Sequence, residues 1–259
     1  MRKYQIDLRV SAVEHINEKY VLIRLTDDKP LPEMIPGQFV EIKVEGSQTT
    51  FLRRPISIHY VDREKNELWL LVAVVGQGTR AMASLSAGDT MNLVLPLGNG
   101  FTISARKTLL VGGGVGVAPL LYAGKAIREA GGEPVFLLGA RSAKDLLEIE
   151  RFRAIGRVLT TTEDGSDGER GFVTDHSVWE KEPFQMISVC GPKPMMVAVA
   201  RKAREKNIPC EVSLENMMRT RGMPLLCGEH NRWKRVCLQG GSNIQHRQAE
   251  MVRTAPLCG

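Results

Sequence analysis

Residues 108–120 decide the fold of the second half of the chain and read TLLVGGGVGVAPL. The apolar start is typical of a buried strand, the glycines predict a tight turn, and Pro119 suits the first turn of a helix. Backbone N–H groups and the helix N-terminus of such a unit can bind a pyrophosphate. A plain glycine-rich turn is the alternative, which the strand–turn–helix context disfavours. We therefore predict that Gly113, Gly114, Gly116 and Pro119 bind a nucleotide cofactor.

The alternation of strand and helix continues downstream. Short apolar runs predict strands at 134–139, 157–161 and 186–190. Helical patterns lie at 119–129, 143–152, 173–179 and 194–206. Strands that alternate with helices form a doubly wound parallel sheet. Residues 107–212 are therefore predicted to form a nucleotide-binding α/β domain.

The first hundred residues have a different pattern. Apolar or alternating runs at 21–25, 39–44, 68–75 and 91–95 are separated by turn residues, and one short helix is predicted near 79–85. Several short strands at this spacing are typical of a small barrel. We assign residues 1–100 to an antiparallel barrel of the six-stranded type.

A second motif follows the predicted strand 186–190, and residues 190–196 read CGPKPMM. Ligands of open α/β sheets bind at the carboxyl ends of the strands, so Cys190, Gly191 and Pro192 are candidates for the nicotinamide end of a cofactor. The sequence shows no base that would activate Cys190 as a nucleophile. A buried cysteine in an ordinary turn is the alternative interpretation.

Two weaker motifs add candidates. The loop at 161–168 reads TTEDGSDG, and Asp164 could accept hydrogen bonds from a ribose, although a solvated loop is the simpler interpretation. In the segment RRPISI at 53–58, the Arg54 guanidinium suits a phosphate, and an exposed basic strand end is the alternative. Gly98 and Asn99 are further candidates for cofactor binding, in a turn at the domain junction that demands positive φ.

Charge is concentrated at the C-terminus. Residues 219–259 hold seven Lys or Arg and two acids, so they carry five of the six net positive charges. A basic tail could bind nucleic acid, but this one contains no recognisable module, and we expect no nucleic-acid partner. The N-terminus has no apolar h-region, and no run reaches roughly 18 apolar residues. We therefore expect a cytoplasmic protein that does not enter a membrane.

Five motifs occur in a fixed order: RPIS at 54–57, GQGT at 76–79, PLGNGF at 96–101, the glycine-rich turn, and CGPKPMM at 190–196. Together they resemble the ferredoxin–NADP reductase superfamily. With SLENMM at 213–218, the first 218 residues more narrowly resemble the electron-transfer subunit of type B dihydroorotate dehydrogenase.

The resemblance implies a flavoprotein of pyrimidine biosynthesis. NADH would bind the α/β domain and reduce FAD on the barrel, a [2Fe–2S] cluster would relay single electrons, and FMN in a partner catalytic subunit would receive them within a heterotetramer. By carry-over, Arg54, Pro55, Ile56 and Ser57 would hold FAD. The FAD would also be lined by Leu71, Val72 and Ala73, with Gly78 and Thr79 at its phosphates.

Other functions stay open at this point. A stand-alone NAD(P)H–flavin reductase of the same superfamily would share every motif except the cluster segment. A nucleotide-binding regulatory module without turnover is a candidate from a different class. Arg141 and Lys144 could accommodate the 2′-phosphate of NADPH, whereas the resemblance favours NADH.

The tail departs from the family. The resemblance implies four cysteines after residue 218, the usual cage of a [2Fe–2S] cluster, but only Cys227 and Cys237 fall near ligand positions. Two thiolates do not make the cage. A zinc site is an alternative, but the gaps between the Cys and His residues lack paired ligand spacing. We assign residues 213–259 to a remnant of the cluster segment, irregular or disordered.

A shifted reading frame would explain the tail. Back-translated and read one base later, residues 222–228 permit Ala-Cys-Leu-Cys-Cys, and residues 237–244 permit Ala-Cys-Lys-Glu-Gly-Pro-Ile-Phe. These match the opening and closing patterns of the family's cluster segment. The hypothesis is that the chain leaves the family's frame near residue 219.

Overall fold

The computed structural model describes residues 2–45, 52–215 and 233–238, with only the main chain described at 214–215 and 233–238. Cys227 and the side chain of Cys237 lie outside the described residues. Most of the proposed cluster remnant at 213–259 also lies outside them, so its irregularity stays a prediction.

The N-terminal part of the chain forms a closed antiparallel barrel, which confirms the predicted architecture. Its strands follow one another around the barrel in the order β1-β2-β5-β4-β3-β6, and the short helix α1 (Gln77–Ala83) lies between β5 and β6. The strands are β1 (Tyr4–Asn17), β2 (Tyr20–Thr26), β3 (Phe39–Ile42), β4 (Arg54–Asp62), β5 (Glu67–Ala73) and β6 (Thr90–Leu97).

Strands β2 and β5 are buried on both faces, which explains why their sequences lack simple alternation. Val21 and Ile23 point into the barrel core, whereas Leu22 and Leu71 pack outward among residues of the second domain. A strand covered on both sides has a nearly continuous apolar run rather than a polar face.

The second domain is built on a seven-stranded sheet in the order β10-β9-β8-β7-β11-β12-β13. Every pairing is parallel except that of β12 with β13, which is antiparallel. The parallel sheet with its helices confirms the predicted α/β fold. The strands are β7 (Lys107–Gly113), β8 (Glu133–Ala140), β9 (Arg157–Thr162), β10 (Glu169–Arg170), β11 (Met186–Cys190), β12 (Cys210–Glu215) and β13 (Trp233–Leu238). The helices are α2 (Ala118–Glu129), α3 (Ile149–Arg153), α4 (Val178–Lys181) and α5 (Lys193–Glu205).

Several elements differ from the sequence-based expectation, and strands β1, β10 and β12 were not predicted. The predicted helix 143–152 is a 3-10 turn at Ala143–Asp145 followed by α3, because Glu148 takes a left-handed conformation with φ of 54°. The predicted helix 173–179 shrinks to α4, since the ring of His176 accepts the amide of Val178 and holds a turn there. Strand β13 lies in the tail, where no regular element was predicted.

The two domains share a buried interface. Apolar residues from both sides form one cluster, in which Leu22 and Leu71 of the barrel meet Val117 and Leu121 next to the glycine-rich turn. The Glu211 carboxylate of β12 is buried and accepts hydrogen bonds from the amide (2.9 Å) and the hydroxyl (2.5 Å) of Thr102 in the interdomain segment. This interface fixes the position of the barrel over the carboxyl edge of the sheet.

In the described part of the chain, none of the helices has the length and apolar character needed to cross a bilayer.

Candidate functional site

A cleft of about 710 Å³ lies where the carboxyl ends of β7, β8 and β9 meet the turn between β1 and β2. Such a position is the usual binding site of open α/β sheets, and the volume suits a nucleotide-sized ligand. The lining residues are Lys19, Tyr20, Gly113, Gly114, Gly139, Ala140, Arg141, Asp145, Thr161, Glu163, Gly171, Phe172, Val173, Thr174, Pro192, Pro194, Met195 and Ala198.

The two glycine motifs of the α/β domain meet beside this cleft. A Cβ atom on Gly116 would lie 2.6 Å from the carbonyl oxygen of Cys190 and equally close to the amide nitrogen of Gly191. A Cβ atom on Gly113 would lie 2.7 Å from the sulfur of Met195. At Gly116 only glycine allows the approach, because the atoms in the way belong to the main chain, and the turn after β7 therefore packs directly against the turn after β11.

The turn after β7 leads into a helix long enough to orient its dipole. Gly114 has a left-handed φ of 55°, and Pro119 occupies the first turn of α2. Gly113 and Gly114 line the cleft, whereas Gly116 and Pro119 are buried beneath it. The partial positive charge of the α2 N-terminus therefore lies near the cleft, as a bound phosphate requires.

The turn after β11 presents fewer of its predicted cofactor-binding residues to the cleft than its sequence suggests. Cys190 is 7% exposed and does not line the cleft, whereas Pro192 does. Gly191 has a φ of 156°, which an L-residue rarely adopts. The thiol of Cys190 is thus part of the packing between β11 and α2, and Met195 covers the floor of the cleft in its place.

The acidic loop places a different residue in the cleft from the one selected by sequence. Asp164 is exposed and accepts hydrogen bonds from the amide (2.9 Å) and the hydroxyl (2.6 Å) of Ser166, which lower the pKa of its carboxyl group. It is not among the lining residues, but its neighbour Glu163 is. A role for Asp164 in ribose binding stays a prediction.

The cleft also contains charged residues that the sequence reasoning missed or left aside. Lys19 of the β1–β2 turn forms an ion pair with Asp145, whose Oδ1 atom lies 3.1 Å from Nζ. This hydrogen bond, with a second from Ser142, lowers the pKa of Asp145. Arg141 lines the cleft beside them, but Lys144 does not. No local motif marks Lys19 or Tyr20, because only the domain packing brings the barrel turn to the sheet edge.

The two adjacent arginines at the start of β4 have different surroundings. Arg53 donates hydrogen bonds to the carbonyl oxygens of Glu41 (3.3 Å) and Asn92 (3.2 Å) and also to the Asn92 side chain, so it joins neighbouring strands. Arg54 donates to the carbonyl oxygen of Leu52 at 2.9 Å. Residues 54–57 are all half-buried on the barrel wall. Arg53 makes three of these hydrogen bonds and Arg54 one, so the Arg54 guanidinium keeps more donors for a ligand.

Other barrel residues predicted to hold a cofactor are more enclosed. Leu71 and Val72 are buried, and only Ala73 keeps part of its surface. The hydroxyl of Thr79 accepts the amides of Val75 (2.9 Å) and Gly76 (3.0 Å) at the start of α1, where Gly78 is buried. A ligand at these positions would therefore meet main-chain atoms more than side chains.

The turn at the domain junction behaves as its sequence predicts. Gly98 has a φ of 79°, and its carbonyl oxygen accepts a hydrogen bond from the Gln38 side chain at 3.2 Å. Asn99 is exposed. The positive φ confirms the conformational demand inferred from the Gly-Asn-Gly sequence.

The two cysteines whose side chains the structure describes lie in the core of the α/β domain. Cys190 and Cys210 are buried in strands of the parallel sheet. Across residues 2–45 and 52–213, no three His, Cys, Asp or Glu side chains are grouped so that they could hold a metal ion. Three cysteines of the sequence remain, one fewer than the four thiolates that a [2Fe–2S] cluster usually needs.

Comparisons with known proteins agree with this geometry. Residues 110–201 match the family model described as the oxidoreductase NAD-binding domain. The chain is 33% identical to the electron transfer subunit of dihydroorotate dehydrogenase B (NAD(+)) from Bacillus velezensis, over 95% of this chain and 87% of the relative. The corresponding subunit of Listeria monocytogenes is 39% identical, over 83% of this chain and 84% of the relative.

A solved structure extends the similarity to three dimensions. An NADH-dependent reduced ferredoxin–NADP oxidoreductase, studied for flavin-based electron bifurcation, superposes with a TM-score of 0.73 at 32% identity. The match covers 90% of this chain and 86% of that one.

Proposed function

The chain belongs to the family of dihydroorotate dehydrogenase B electron transfer subunits, and from this premise we propose that it passes electrons between NADH and a partner dihydroorotate dehydrogenase through FAD. It is the NADH-dependent flavoprotein oxidoreductase subunit of that pair. The observation that carries the proposal is the contact of Gly116 with Cys190 and Gly191, because it joins the two nucleotide-binding turns at one interdomain cleft.

NADH fits the cleft on chemical grounds. Gly113 and Gly114 line the cleft just before the α2 N-terminus, Gly114 leaves room there because it has no side chain, and the helix dipole favours a pyrophosphate anion. The carboxylate of Glu163 can accept hydrogen bonds from ribose hydroxyls. Pro192 and Met195 offer an apolar floor beside Cys190 for the nicotinamide ring. These residues orient the hydride donor and exclude water around it.

We place FAD on the barrel wall along β4. Arg54 offers a charged donor for a phosphate, and Ser57 on the same strand offers a hydroxyl at a half-buried position. Pro55 and Ile56 lie between them, and the Gly98–Asn99 turn follows at the end of β6. When bound, FAD would supply the conversion of one two-electron hydride transfer into single-electron transfers, and the chain's own residues would hold and orient it.

The cysteine set does not fit a [2Fe–2S] cluster, so no step is assigned to one. We attribute the mismatch to a shifted reading frame from about residue 219, which would hide the cluster cysteines in another frame. FMN in the partner and a heterotetrameric assembly are further parts of the proposal, and they rest on the family resemblance alone.

The same mismatch favours a second candidate function. A chain with FAD and NADH sites but too few thiolates would act as a stand-alone NADH–flavin reductase towards a soluble acceptor. The two candidates differ in whether a partner is needed.

Co-expression with an FMN-bearing dihydroorotate dehydrogenase subunit tests the proposal. We expect the two chains to co-purify, and we expect the purified chain alone to reduce an artificial acceptor such as ferricyanide with NADH. Acceptor reduction without co-purification would favour the stand-alone reductase. A purified chain that neither binds flavin nor oxidises NADH would exclude both.

A further inference from the structure

The turn between β1 and β2 belongs to the barrel but reaches the nucleotide cleft. Both Lys19 and Tyr20 line the cleft, and the Tyr20 hydroxyl lies 3.7 Å from the position that a Cβ atom on Gly114 would take. The turn is held in place, because the Lys19 amide donates to Asn17 Oδ1 at 2.9 Å and its carbonyl oxygen accepts the Val74 amide at 2.8 Å. The two side chains are therefore presented from a fixed backbone.

The Asp145 carboxylate that pairs with Lys19 could be displaced by a more highly charged anion. Its ion pair with Asp145 crosses from the barrel to the segment after β8, and the two side chains are 69% and 30% exposed. Exposed ion pairs of this kind contribute little free energy, because water competes for both charges. A phosphate group at the α2 N-terminus carries charge that the Lys19 ammonium could contact instead, with Arg141 beside it.

Tyr20 presents a donor toward the same region. Its ring is half-buried among apolar residues of the domain interface, so the side chain keeps one direction. The main chain of Tyr20 pairs with Ala73 of β5, one of the residues predicted to line FAD, while its hydroxyl approaches Gly114 of the glycine-rich turn.

We propose that the β1–β2 turn of the barrel forms the second wall of the nicotinamide-nucleotide site, with the Lys19 ammonium and the Tyr20 hydroxyl donating hydrogen bonds to the phosphates of the nucleotide bound at Gly113 and Gly114. This inference rests on the proposed function. Both domains would then contact the nucleotide. The ion pair with Asp145 would hold the Lys19 side chain at the cleft before the nucleotide binds.

Binding measurements on the full chain with FAD separate this role from a structural ion pair. Lys19→Gln should weaken NADH binding about fivefold at low ionic strength and less at high ionic strength. Asp145→Asn, which breaks the same ion pair but frees Lys19, should bind NADH at least as tightly as the unmodified chain. Lys43→Gln is the matched control, because Lys43 is similarly exposed and pairs with Glu45 away from the cleft.

A phosphate-free probe sharpens the result. Reduced nicotinamide riboside lacks phosphate, so Lys19→Gln should leave its reaction with the flavin unchanged. If Lys19→Gln and Asp145→Asn weaken NADH binding equally, or if Lys19→Gln has no effect, Lys19 is only structural and the inference fails.

Tyr20→Phe removes the hydroxyl and keeps the ring. We expect about a threefold to tenfold loss of NADH affinity with FAD content unchanged. Loss of FAD instead would assign Tyr20 to the flavin site and overturn its part in the inference. Because the unmodified chain is measured alongside, failure of that chain to bind NADH at all would refute the proposed function and not this inference alone.

Discussion

His59 of the barrel and Glu148 of the α/β domain form a buried pair across the domain interface, with Nε2 2.5 Å from Oε2. The Nδ1 atom of His59 lies 2.8 Å from the carbonyl oxygen of Ala118, to which it donates. Burial lowers the pKa of His59 to about 4, so the ring alone does not hold a second proton near neutral pH. A hydrogen bond between Nε2 and the carboxyl group therefore needs a proton that the pair shares.

This pair should stabilise the docking of the two domains. Glu148→Ala leaves the buried His59 ring without its carboxylate partner and leaves the Arg151 guanidinium with Glu14 alone, and we expect a loss of about 3 kcal/mol in unfolding free energy. Glu148→Gln keeps the shape and can donate its amide to Nε2, so it should lose less than half as much. Urea unfolding of both variants checks this, and equal losses would contradict it.

Gly116→Ala should abolish tight NADH binding. The added Cβ atom would meet the carbonyl oxygen of Cys190 and push the two nucleotide-binding turns apart. We expect at least about a tenfold rise in the Kd for NADH, because a displacement of this size removes phosphate hydrogen bonds. FAD content should remain.

Gly124→Ala controls for general damage to the same domain. Its Cβ atom would collide with the Phe136 ring in the domain core, away from the cleft residues. This variant should unfold more easily, but its folded fraction should bind NADH as before. Loss of NADH affinity in both variants alike would remove the argument for a specific contact at Gly116.

Substitutions of Arg53 and Arg54 should have different effects, one on stability and the other on cofactor binding. Arg54→Gln should lower the FAD content of the purified protein severalfold, because a charge-assisted hydrogen bond to phosphate is lost. Arg53→Gln should lower the melting temperature and leave FAD binding nearer normal, since Arg53 ties β4 to its neighbours. Flavin released by heat denaturation and counted per chain is the measurement, and the reverse pattern would exchange the two roles.

Glu182 should contribute to acid sensitivity. Hydrogen bonds from Arg157 and then Lys107 lower its pKa from 4.5 to about 2. A carboxyl group whose pKa is depressed by folding adds stability above the unfolded value, and this stability is lost as pH falls from about 4.5 to about 2. The stability advantage over Glu182→Gln should therefore shrink across that interval. An advantage that stays constant from neutral pH to pH 2 would contradict the assignment.

The tail can be tested without any assay of function. A chain of this sequence should contain no stoichiometric iron or acid-labile sulfide, because it has too few thiolates to hold a [2Fe–2S] cluster. Intact mass combined with metal analysis reports the mass of the tail, the presence of bound FAD and the iron content of the same sample. Sequencing the coding DNA across residues 219–259 tests the frame hypothesis, which fails if the neighbouring frame lacks the expected cysteine codons.

Local sequence predicted most of the fold because its strands are apolar and its turns are rich in glycine. The α/β domain followed from the strand–turn–helix unit around Gly113, and the barrel from its apolar runs. No run was identified for β1, although Ile6, Leu8 and Val10 alternate with polar residues and carry the signal of a half-buried strand. The predicted helix at 143–152 was wrong at its centre, because the left-handed Glu148 is set by its contact with His59 in another domain.

The site was predictable only where its residues lie in one motif. The glycine-rich and CGP turns carry their candidate residues consecutively, so the sequence could select both, although the CGP turn was a candidate only through its position after a predicted strand. Lys19 and Tyr20 reach the cleft through domain packing, and nothing in their neighbours along the chain marks them. Sequence selected Asp164, but Glu163 is the one that lines the cleft, because the direction of each side chain in a turn depends on backbone angles that composition does not specify.

The central claim is that NADH reduces a flavin bound to this chain, and an anaerobic titration of the purified protein tests it most directly. We predict that about one equivalent of NADH bleaches the flavin absorbance of the unmodified chain, since hydride transfer delivers two electrons, and that Gly116→Ala requires a large excess. A purified chain without flavin, or with flavin that NADH leaves oxidised, would contradict the account.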